Sequence, residues 1–250
     1  MRIAVAGGTG TVGRHVVRAA KEAGHEPVVL ARSLGINVVT GQGVDDALAG
    51  ADVVVDATNL FTLSGTQARR FFLSGTRTLM DAGARAGVQH YVALSIVGID
   101  AINTSYYGAK LGQERSVAAG SIPHTIARAA QFHEFSAQLL GLQRGPIAAI
   151  PKVLMRPVSA REIGDRLVRL AEQGPAGRVQ DLVGPHDETA ADLARRQLKF
   201  DGSRRKVIEV RLPGAYGKGL ASGLLRGTPD ALQGTITFDE WLASEDHLPR

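Results

Sequence analysis

A glycine-rich loop near the start of the chain, between a short apolar run and an alanine-rich segment, constrains the fold most. Arg2–Ala6 is predicted to be a strand and Thr11–Ala23 a helix. Between them, Gly7 would allow the sharp turn out of the strand, Gly10 would let a pyrophosphate approach the backbone, and Gly13 would let the helix pack closely. The free N–H groups at the helix start would then face the anion. This order predicts a dinucleotide site; the alternative is a glycine-rich turn that serves only packing.

The first 130 residues alternate short runs rich in Val and Ile with longer helical segments. The predicted strands are Arg2–Ala6, Pro27–Ala31, Ile36–Val39, Asp52–Asp56, His90–Leu94 and His124–Ala127. The predicted helices are Thr11–Ala23, Thr66–Ala86 and Ser105–Ala119. Alternation of this kind is typical of βαβ units. We therefore expect a doubly wound, Rossmann-type α/β fold with a mainly parallel sheet.

One connection in this pattern is unusually short. Only residues 32–35 separate the second and third predicted strands, whereas a parallel crossover needs about a dozen residues. The usual helix is therefore missing, and one of these two strands is expected to be irregular. The adenine side of a nucleotide pocket would then be more open than usual.

The pattern loosens after residue 130 and predicts a small, irregular C-terminal substrate lobe. Gly141–Pro157 is rich in glycine, proline and isolated apolar residues and is predicted to be mostly loop. Arg161–Glu172 is predicted to be a helix, with later strands at Val179–Val183 and Lys206–Leu212. We expect a single domain over residues 1–250, with a dinucleotide-binding core at 1–130 and, at 131–250, mostly the substrate lobe with later sheet elements.

The end of the second predicted strand indicates which dinucleotide binds. A chain that binds NAD usually has an acidic residue there to hold the ribose 2′-hydroxyl, but this strand runs into Arg32 and Ser33. A guanidinium suits a 2′-phosphate because its planar fork donates paired, charge-assisted hydrogen bonds. NADP(H) is therefore favoured over NAD(H); the alternative is that Arg32 is an ordinary surface arginine. The expected cofactor contacts are Gly7, Thr9, Gly10, Thr11, Val12, Gly13, Arg32, Ser33, Ala57, Thr58 and Lys110.

Three polar residues in the middle of the chain supply what carbonyl reduction needs. Ser95 follows a predicted strand, and Tyr106 and Lys110 share one face of a predicted helix. A lysine ammonium favours the phenolate and lowers the pKa of a tyrosine from its usual value of about 10. Ser95 would donate to the substrate oxygen on which negative charge develops. The alternative is a half-buried helix tyrosine, with Lys110 paired to Glu114.

These features, in this order, resemble the short-chain dehydrogenase/reductase superfamily, and more closely its atypical NmrA-like, NAD(P)H-binding branch. The resemblance extends to the segments 97–100, 106–111, 128–132 and 157–163. It implies NADP(H) bound at the carboxyl edge of the sheet, with Ser95, Tyr106 and Lys110 as the catalytic set. The chain departs from the branch at residues 41–42, where Gly-Gln replaces the usual Gly-Asp near the adenine.

The resemblance also implies where the substrate lies. Its expected contacts are Val97, Gln131, Phe132 and His133, and the expected substrate is a small carbonyl compound. The alternative for the segment around His133 is a helix start with core phenylalanines.

Two other functions fit the same features. Some members of the NmrA-like branch bind the nucleotide without known chemistry, so one alternative is a non-catalytic NADPH-binding redox sensor that acts on a protein partner. The other is an epimerase or dehydratase of nucleotide sugars, although such enzymes usually have a larger C-terminal lobe. The sequence identifies neither the substrate nor the oligomeric state, because no motif is readable in the irregular second half.

Composition excludes several classes of site. The chain has no cysteine, which rules out disulfides, thiolate metal sites and thiol nucleophiles. Its seven histidines are scattered without zinc-binding spacing, so no metal site is predicted. The net charge of +5 is not gathered into one stripe, so nucleic-acid binding is not expected. No apolar run is long enough for a signal peptide or a membrane span, which predicts a cytoplasmic protein.

Overall fold

The computed structural model describes residues 1–62, 64–102 and 104–247. Its strands are β1 (Arg2–Ala6), β2 (Glu26–Leu30), β3 (Val53–Asp56), β4 (His90–Ile96), β5 (His124–Ala129), β6 (Ile147–Pro151), β7 (Leu154–Met155), β8 (Gly177–Arg178), β9 (Leu182–Val183), β10 (Glu188–Thr189), β11 (Lys206–Val210) and β12 (Leu232–Gln233). Its α-helices are α1 (Gly13–Glu22), α2 (Val44–Leu48), α3 (Gly65–Ala86), α4 (Ser105–Ala118), α5 (Phe135–Gly141), α6 (Ala160–Gln173), α7 (Ala190–Phe200), α8 (Gly214–Ala221) and α9 (Phe238–Leu242).

The chain divides into two compact units, of which the first comprises Met1–Ile96, Asn103–Arg128 and Ile163–Gln180. Its strands follow the order β8-β5-β4-β3-β1-β2. β1 pairs in parallel with β2 and β3, and β3 pairs in parallel with β4. Residues 3–6 of β1 are fully buried, as expected for an apolar strand covered on both faces. The predicted Rossmann-type fold is confirmed.

The register of these strands brings their carboxyl ends to one edge of the sheet. Ala6 lies opposite Leu30 on one side and Asp56 on the other, and Asp56 lies opposite Ala93. The loops that follow β1, β2 and β3 therefore leave the sheet at the same edge. Ligands of open α/β sheets bind at this edge.

The predicted strand Ile36–Val39 is wrong. Arg32–Leu34 forms a single 3₁₀ turn that ends at Gly35, whose φ is +78°. The chain then turns back on itself, because the side-chain carbonyl of Asn37 accepts from the N–H of Val39 at 3.0 Å. Ile36 and Val38 instead pack against the buried core of the first unit. The apolar pattern therefore reflects packing of a turn, which confirms that one of these two predicted strands is irregular. The expected absence of a crossover helix is wrong, because the connection from β2 to β3 contains the short helix α2.

Helices α3 and α4 pack against each other and carry side chains of the candidate site. The hydroxyl of Ser64 caps α3 by accepting from the N–H of Gln67, and Gly87 ends the helix with a φ of +76°. A Cβ on Gly65 would lie 3.0 Å from the Cα of Ser105. The first turns of the two helices can therefore approach this closely only with glycine at residue 65.

The second unit comprises Val97–Ile102, Ala129–Glu162 and Asp181–Arg250. β6 and β11 form a parallel pair, β7 and β10 an antiparallel pair, and β9 pairs with β12 and with Ala129. Gly141–Pro157 is loop at 9 of its 17 residues, as predicted, but it also contains β7 and β6, in which alternate residues are buried. One prediction is corrected here: of Val179–Val183, only β9 is strand.

Neither a membrane span nor a metal cluster is present in the ranges that the structure describes. No helix there combines the length and the apolar character needed to cross a bilayer. No group of three or more histidine or carboxylate side chains there could hold a metal ion.

Candidate functional site

The glycine loop closes around the carbonyl group of Gly7. The φ of Gly7 is +76°, and the N–H of Gly10 donates to its carbonyl oxygen at 2.8 Å. A Cβ on Gly13 would lie 2.0 Å from the same oxygen, and a Cβ on Gly7 would lie 2.9 Å from the carbonyl oxygen of Ala57. Side chains are therefore excluded at Gly7 and Gly13 by backbone atoms.

The start of α1 fits a phosphate group. Val12 is the N-cap residue, and no side chain in the described part of the chain caps it. The first N–H groups of a helix have no acceptor within the helix and carry a partial positive charge. Thr9 and Gly10 are exposed beside this helix end, and Thr11 is half-buried. The N–H groups of Arg14 and His15 already donate to the carbonyl oxygens of Gly10 and Val12, so the exposed loop suits the anionic pyrophosphate chiefly through the partial positive charge of this helix end.

Arg32 and Ser33 lie directly after the carboxyl end of β2. Both residues are exposed in the 3₁₀ turn. Within the ranges described, no carboxylate pairs with the Arg32 guanidinium. Arg32 is therefore available to bind an anion at this edge of the sheet.

The carboxylate of Asp56 organises the end of β3. It is buried, and its Oδ1 accepts from the N–H of Thr58 at 3.0 Å and from the Thr58 hydroxyl at 2.6 Å. Its Oδ2 accepts from the Tyr91 hydroxyl at 2.7 Å and from the amide Nε2 of Gln113 at 2.9 Å. These bonds fix Ala57 and Thr58 where they contact Gly7. Burial and the Asp56 charge together raise the pKa of Tyr91, so this hydroxyl stays a donor.

Ser95 lies near the carboxyl end of β4 with only 3% of its surface exposed. Its Oγ has no hydrogen-bond partner among the residues that the structure describes. A buried hydroxyl without a partner costs about 1–3 kcal/mol. Such a group is what a site for a ligand oxygen requires.

Tyr106 stands in the first turn of α4. Its hydroxyl donates to the side-chain oxygen of Asn59 at 2.6 Å, and its ring packs edge-on against Phe72 and Tyr107 at 5.6 and 5.7 Å between centroids. The preceding residue, Ser105, has a φ of +50°, a left-handed conformation that costs a residue other than glycine roughly 1–2 kcal/mol. The aromatic contacts and the strained entry to α4 hold the phenol in a defined position.

Lys110 is buried one helical turn after Tyr106. Its Nζ donates to the carbonyl oxygen of Leu94 at 2.7 Å and to the side-chain oxygen of Gln113, and lies 4.7 Å from the Phe72 ring centroid. Burial lowers the pKa of Lys110 to about 8, against the opposing effect of the Asp56 and Glu114 charges. Lys110 is thus held at the carboxyl end of β4, where Ser95 also lies.

The alternative in which Lys110 pairs with Glu114 is wrong. Both carboxylate oxygens of Glu114 accept from the guanidinium of Arg128, at 2.7 and 2.6 Å, and both residues are buried. The strong ion pair of α4 is therefore made with β5.

The residues expected to contact substrate lie in the second unit. Val97 is fully buried and its N–H donates to Ala129, Gln131 is buried, and Phe132 is half-buried. His133 is 1% exposed, and its Nε2 bonds the Ile236 carbonyl at 3.0 Å. The rings of Phe238 and Trp241 pack against it. Burial lowers the pKa of His133 to about 4, assisted by the Arg196 charge and opposed by the Ile236 hydrogen bond.

The sequence reasoning missed two residues of this site. Asn59 is absent from the predicted catalytic and substrate contacts, yet its side-chain oxygen accepts from the Tyr106 hydroxyl. Gln113 was not singled out, although it follows Lys110 by three residues and such pairs face each other on a helix. That spacing is the one sequence signal for Gln113, whereas the contact of Asn59 depends on how the segment after β3 meets the first turn of α4.

The comparisons with known proteins agree with this geometry. Residues 7–146, more than half of the chain, match the model of the NAD(P)H-binding family. The chain is 30% identical to the photosystem II assembly factor Ycf39 of Synechocystis sp., over 84% of this chain and 71% of that protein. It is 25% identical to a ceramide reductase of Caulobacter vibrioides, over 85% of this chain and 74% of that protein.

Solved structures share the fold at low sequence identity. An NADPH-dependent quinone oxidoreductase of Escherichia coli, complexed with NADPH, aligns with a TM-score of 0.70 at 18% identity, covering 96% of this chain and 98% of that one. A short-chain dehydrogenase/reductase superfamily protein of Agrobacterium tumefaciens, with bound NAD, aligns with a TM-score of 0.67 at 18% identity, covering 97% and 95%. From the family model and the Synechocystis relative together, the chain belongs to the NAD(P)H-binding family.

Proposed function

We propose that this protein is an NADP(H)-dependent oxidoreductase that reduces a small carbonyl compound. The observation that carries the proposal is the buried hydroxyl of Ser95, which has no partner among the described residues and lies on the strand that anchors Lys110. A ligand oxygen would satisfy it. Relatives and structural neighbours that are named reductases or oxidoreductases support the same class of reaction.

Each of the three polar side chains has one task in this reaction. NADPH, when bound, supplies the hydride that adds to the carbonyl carbon. Tyr106 donates its phenolic proton to the carbonyl oxygen, which becomes the hydroxyl of the alcohol, and recovers a proton from solvent. Ser95 donates a hydrogen bond to the same oxygen as its negative charge develops. The ammonium of Lys110 stabilises the phenolate that Tyr106 forms.

The choice of NADP(H) over NAD(H) rests on Arg32. Two residues past the end of β2 the chain presents the exposed guanidinium of Arg32 rather than a carboxylate. A guanidinium would bind a 2′-phosphate with two parallel hydrogen bonds. The solved neighbours include one with NADPH and one with NAD, so this preference needs a direct measurement.

Turnover of a panel of aldehydes, ketones and quinones, followed through NADPH consumption, tests the proposal. Tyr106→Phe should lower kcat on any substrate found by about 10²–10⁴-fold while NADPH binds as before. Tyr107→Phe, the neighbouring tyrosine, is the matched control and should retain turnover. Unchanged turnover in Tyr106→Phe would sink the mechanism.

A second candidate function is a non-catalytic sensor of the NADPH/NADP⁺ ratio. It is favoured by the interior contacts of Lys110, whose ammonium is already satisfied by Leu94 and Gln113, and by a relative that is named an assembly factor. Calorimetric titration with NADPH, NADP⁺, NADH and NAD⁺ separates the two functions. A sensor binds one oxidation state much more tightly and turns over no carbonyl; an enzyme binds both phosphorylated forms.

A further inference from the structure

The ammonium of Lys110 is buried without a direct carboxylate partner. Only 4% of the residue is exposed, and in the described ranges no carboxylate lies within ion-pair distance of its Nζ. A buried ammonium is costly unless an opposite charge acts on it. Something must therefore hold this charge in place.

The amide of Gln113 connects Lys110 to Asp56. An ammonium can only donate hydrogen bonds, and an ionised carboxylate can only accept them. The amide between them must therefore turn its oxygen to Lys110 and its NH₂ group to Asp56, which is the arrangement in the structure. We call these three side chains the polar chain: Asp56, Gln113 and Lys110.

The carboxylate at the end of the polar chain is itself well stabilised. Asp56 accepts from Thr58 twice and from Tyr91 once, in addition to Gln113. The Asp56 charge favours the protonated form of Lys110 against the effect of burial. Asp56 thus stands two hydrogen bonds from the lysine, held by three further donor bonds.

The other charged groups around Lys110 do not replace Asp56. Glu114, on the same helix, also favours the charged lysine, but both of its oxygens are bound by Arg128 of β5. Tyr91 of β4 stays neutral because its pKa is raised. From α3, Phe72 offers only a ring face. Of the two carboxylates that favour the charged lysine, Glu114 is neutralised by Arg128, and Asp56 is the one that Arg128 does not bind.

We propose that Asp56 and Gln113 are positioning residues of the candidate site, which keep the ammonium of Lys110 charged and fixed in direction through a relay of two hydrogen bonds. The inference rests on the proposed role of Lys110 in the reaction. The new element is that the charge on Lys110 depends on the carboxylate of Asp56, with which Lys110 makes no direct hydrogen bond. Asp56 also fixes Ala57 and Thr58 beside the glycine loop, so one carboxylate serves both the cofactor side and the catalytic side of the unit.

The protonation of Lys110 can be measured without any substrate. The chain has six lysines, so ¹³Cε labelling of lysine gives few NMR signals, and Lys110→Arg identifies the signal of Lys110. The signal should titrate near pH 8 in the wild type, since burial lowers the pKa of Lys110 to about that value. Gln113→Met fills the same space without hydrogen bonds, and it should move the titration to lower pH by about one unit, which is a tenfold easier loss of the proton.

Two further variants make the test decisive. Asp56→Asn removes the charge and should move the Lys110 titration in the same direction as Gln113→Met. Ser116→Ala, on the same helix, removes a hydroxyl that bonds the helix's own Gly112 carbonyl and should leave the titration unchanged. An unaltered Lys110 titration in a folded Gln113→Met protein overturns the inference. Thermal unfolding of each variant establishes that it is folded.

Turnover and the Lys110 titration together separate this inference from the proposed function. If both variants shift the Lys110 titration but no carbonyl is reduced, the relay stands and the proposed function fails. If Tyr106→Phe abolishes turnover and the titration ignores Gln113, the function stands and the relay fails. When both hold, the alkaline limit of kcat against pH should fall in Gln113→Met by the same interval as the titration.

Discussion

Lys110 in the first unit and His133 in the second are both buried bases, but their surroundings differ. Burial lowers the pKa of each, to about 8 for Lys110 and to about 4 for His133. Lys110 is linked to the carboxylate of Asp56 through an amide. His133 has one backbone carbonyl and two aromatic rings around it. Each pKa falls by a similar amount from its ordinary value, 10.5 for lysine and 6.5 for histidine, so Lys110 is charged at neutral pH and His133 is neutral because an amine is the stronger base.

The largest expected effect follows from removing the charged base. Lys110→Met leaves Tyr106 without a neighbouring positive charge, and we expect kcat to fall by about 1,000-fold. Steady-state turnover with saturating NADPH measures this. Lys199→Met, an exposed lysine of α7, is the control. A Lys110→Met protein that turns over at the wild-type rate would contradict the role given to the ammonium.

His133, the neutral base, should lower the free energy of unfolding at acid pH. The pKa of His133 is lower in the folded protein than in the unfolded chain, so the unfolded chain binds more protons between pH 6.5 and 4. Stability is therefore lost as the pH falls through this range, by about 3 kcal/mol from this residue. Urea unfolding at several pH values should show a smaller acid loss in His133→Gln. The exposed His186, changed to Gln, should behave as the wild type.

Arg32 of the first unit is an exposed base, and solvent screens its charge, unlike those of Lys110 and His133. Arg32→Ala should weaken NADPH binding by about tenfold, because one charge-assisted contact is lost, and should leave NADH binding unchanged. Titration of both cofactors measures the ratio. An equal loss of affinity for NADPH and NADH would mean that Arg32 does not bind the 2′-phosphate.

The smallest effect is expected at Asn59, an exposed partner of the Tyr106 phenol that we propose as the proton donor. Asn59→Ala removes the acceptor of the Tyr106 hydroxyl, and one exposed neutral hydrogen bond is worth about 0.5–1.5 kcal/mol. We expect kcat to change by a few-fold, with the affinity for NADPH retained. A loss as large as that of Tyr106→Phe would place Asn59 among the catalytic residues.

Most of the first unit could be predicted from the sequence because its signals are local. The apolar strands, the glycine loop and the helix bounds agree with the structure within two residues at either end. The strand predicted at Ile36–Val39 is wrong because Gly35 and Asn37 form a turn, and the pattern of apolar residues does not reveal turns. The strands of the second unit are short, and β7, β9, β10 and β12 have two residues each, so no alternation can develop in them.

The candidate site was predictable only as far as its residues lie in recognisable motifs. Ser95, Tyr106 and Lys110 were singled out by order and spacing, and their roles stay predictions. The link from Lys110 to Asp56 joins residues 54 positions apart, and nothing in the sequence between them specifies it. Tertiary packing alone brings β3 and α4 together.

The hydrogen bond from the backbone N–H of Thr58 to Asp56 gives the polar chain a reporter of its own motion. An amide proton exchanges with solvent deuterium only when its bond opens. The Asp56 carboxylate also accepts from Tyr91 and Gln113. A movement of this carboxylate away from Thr58 would therefore break its hydrogen bonds to all three residues. The exchange rate of the Thr58 amide therefore measures how often the hydrogen bonds to Asp56 open.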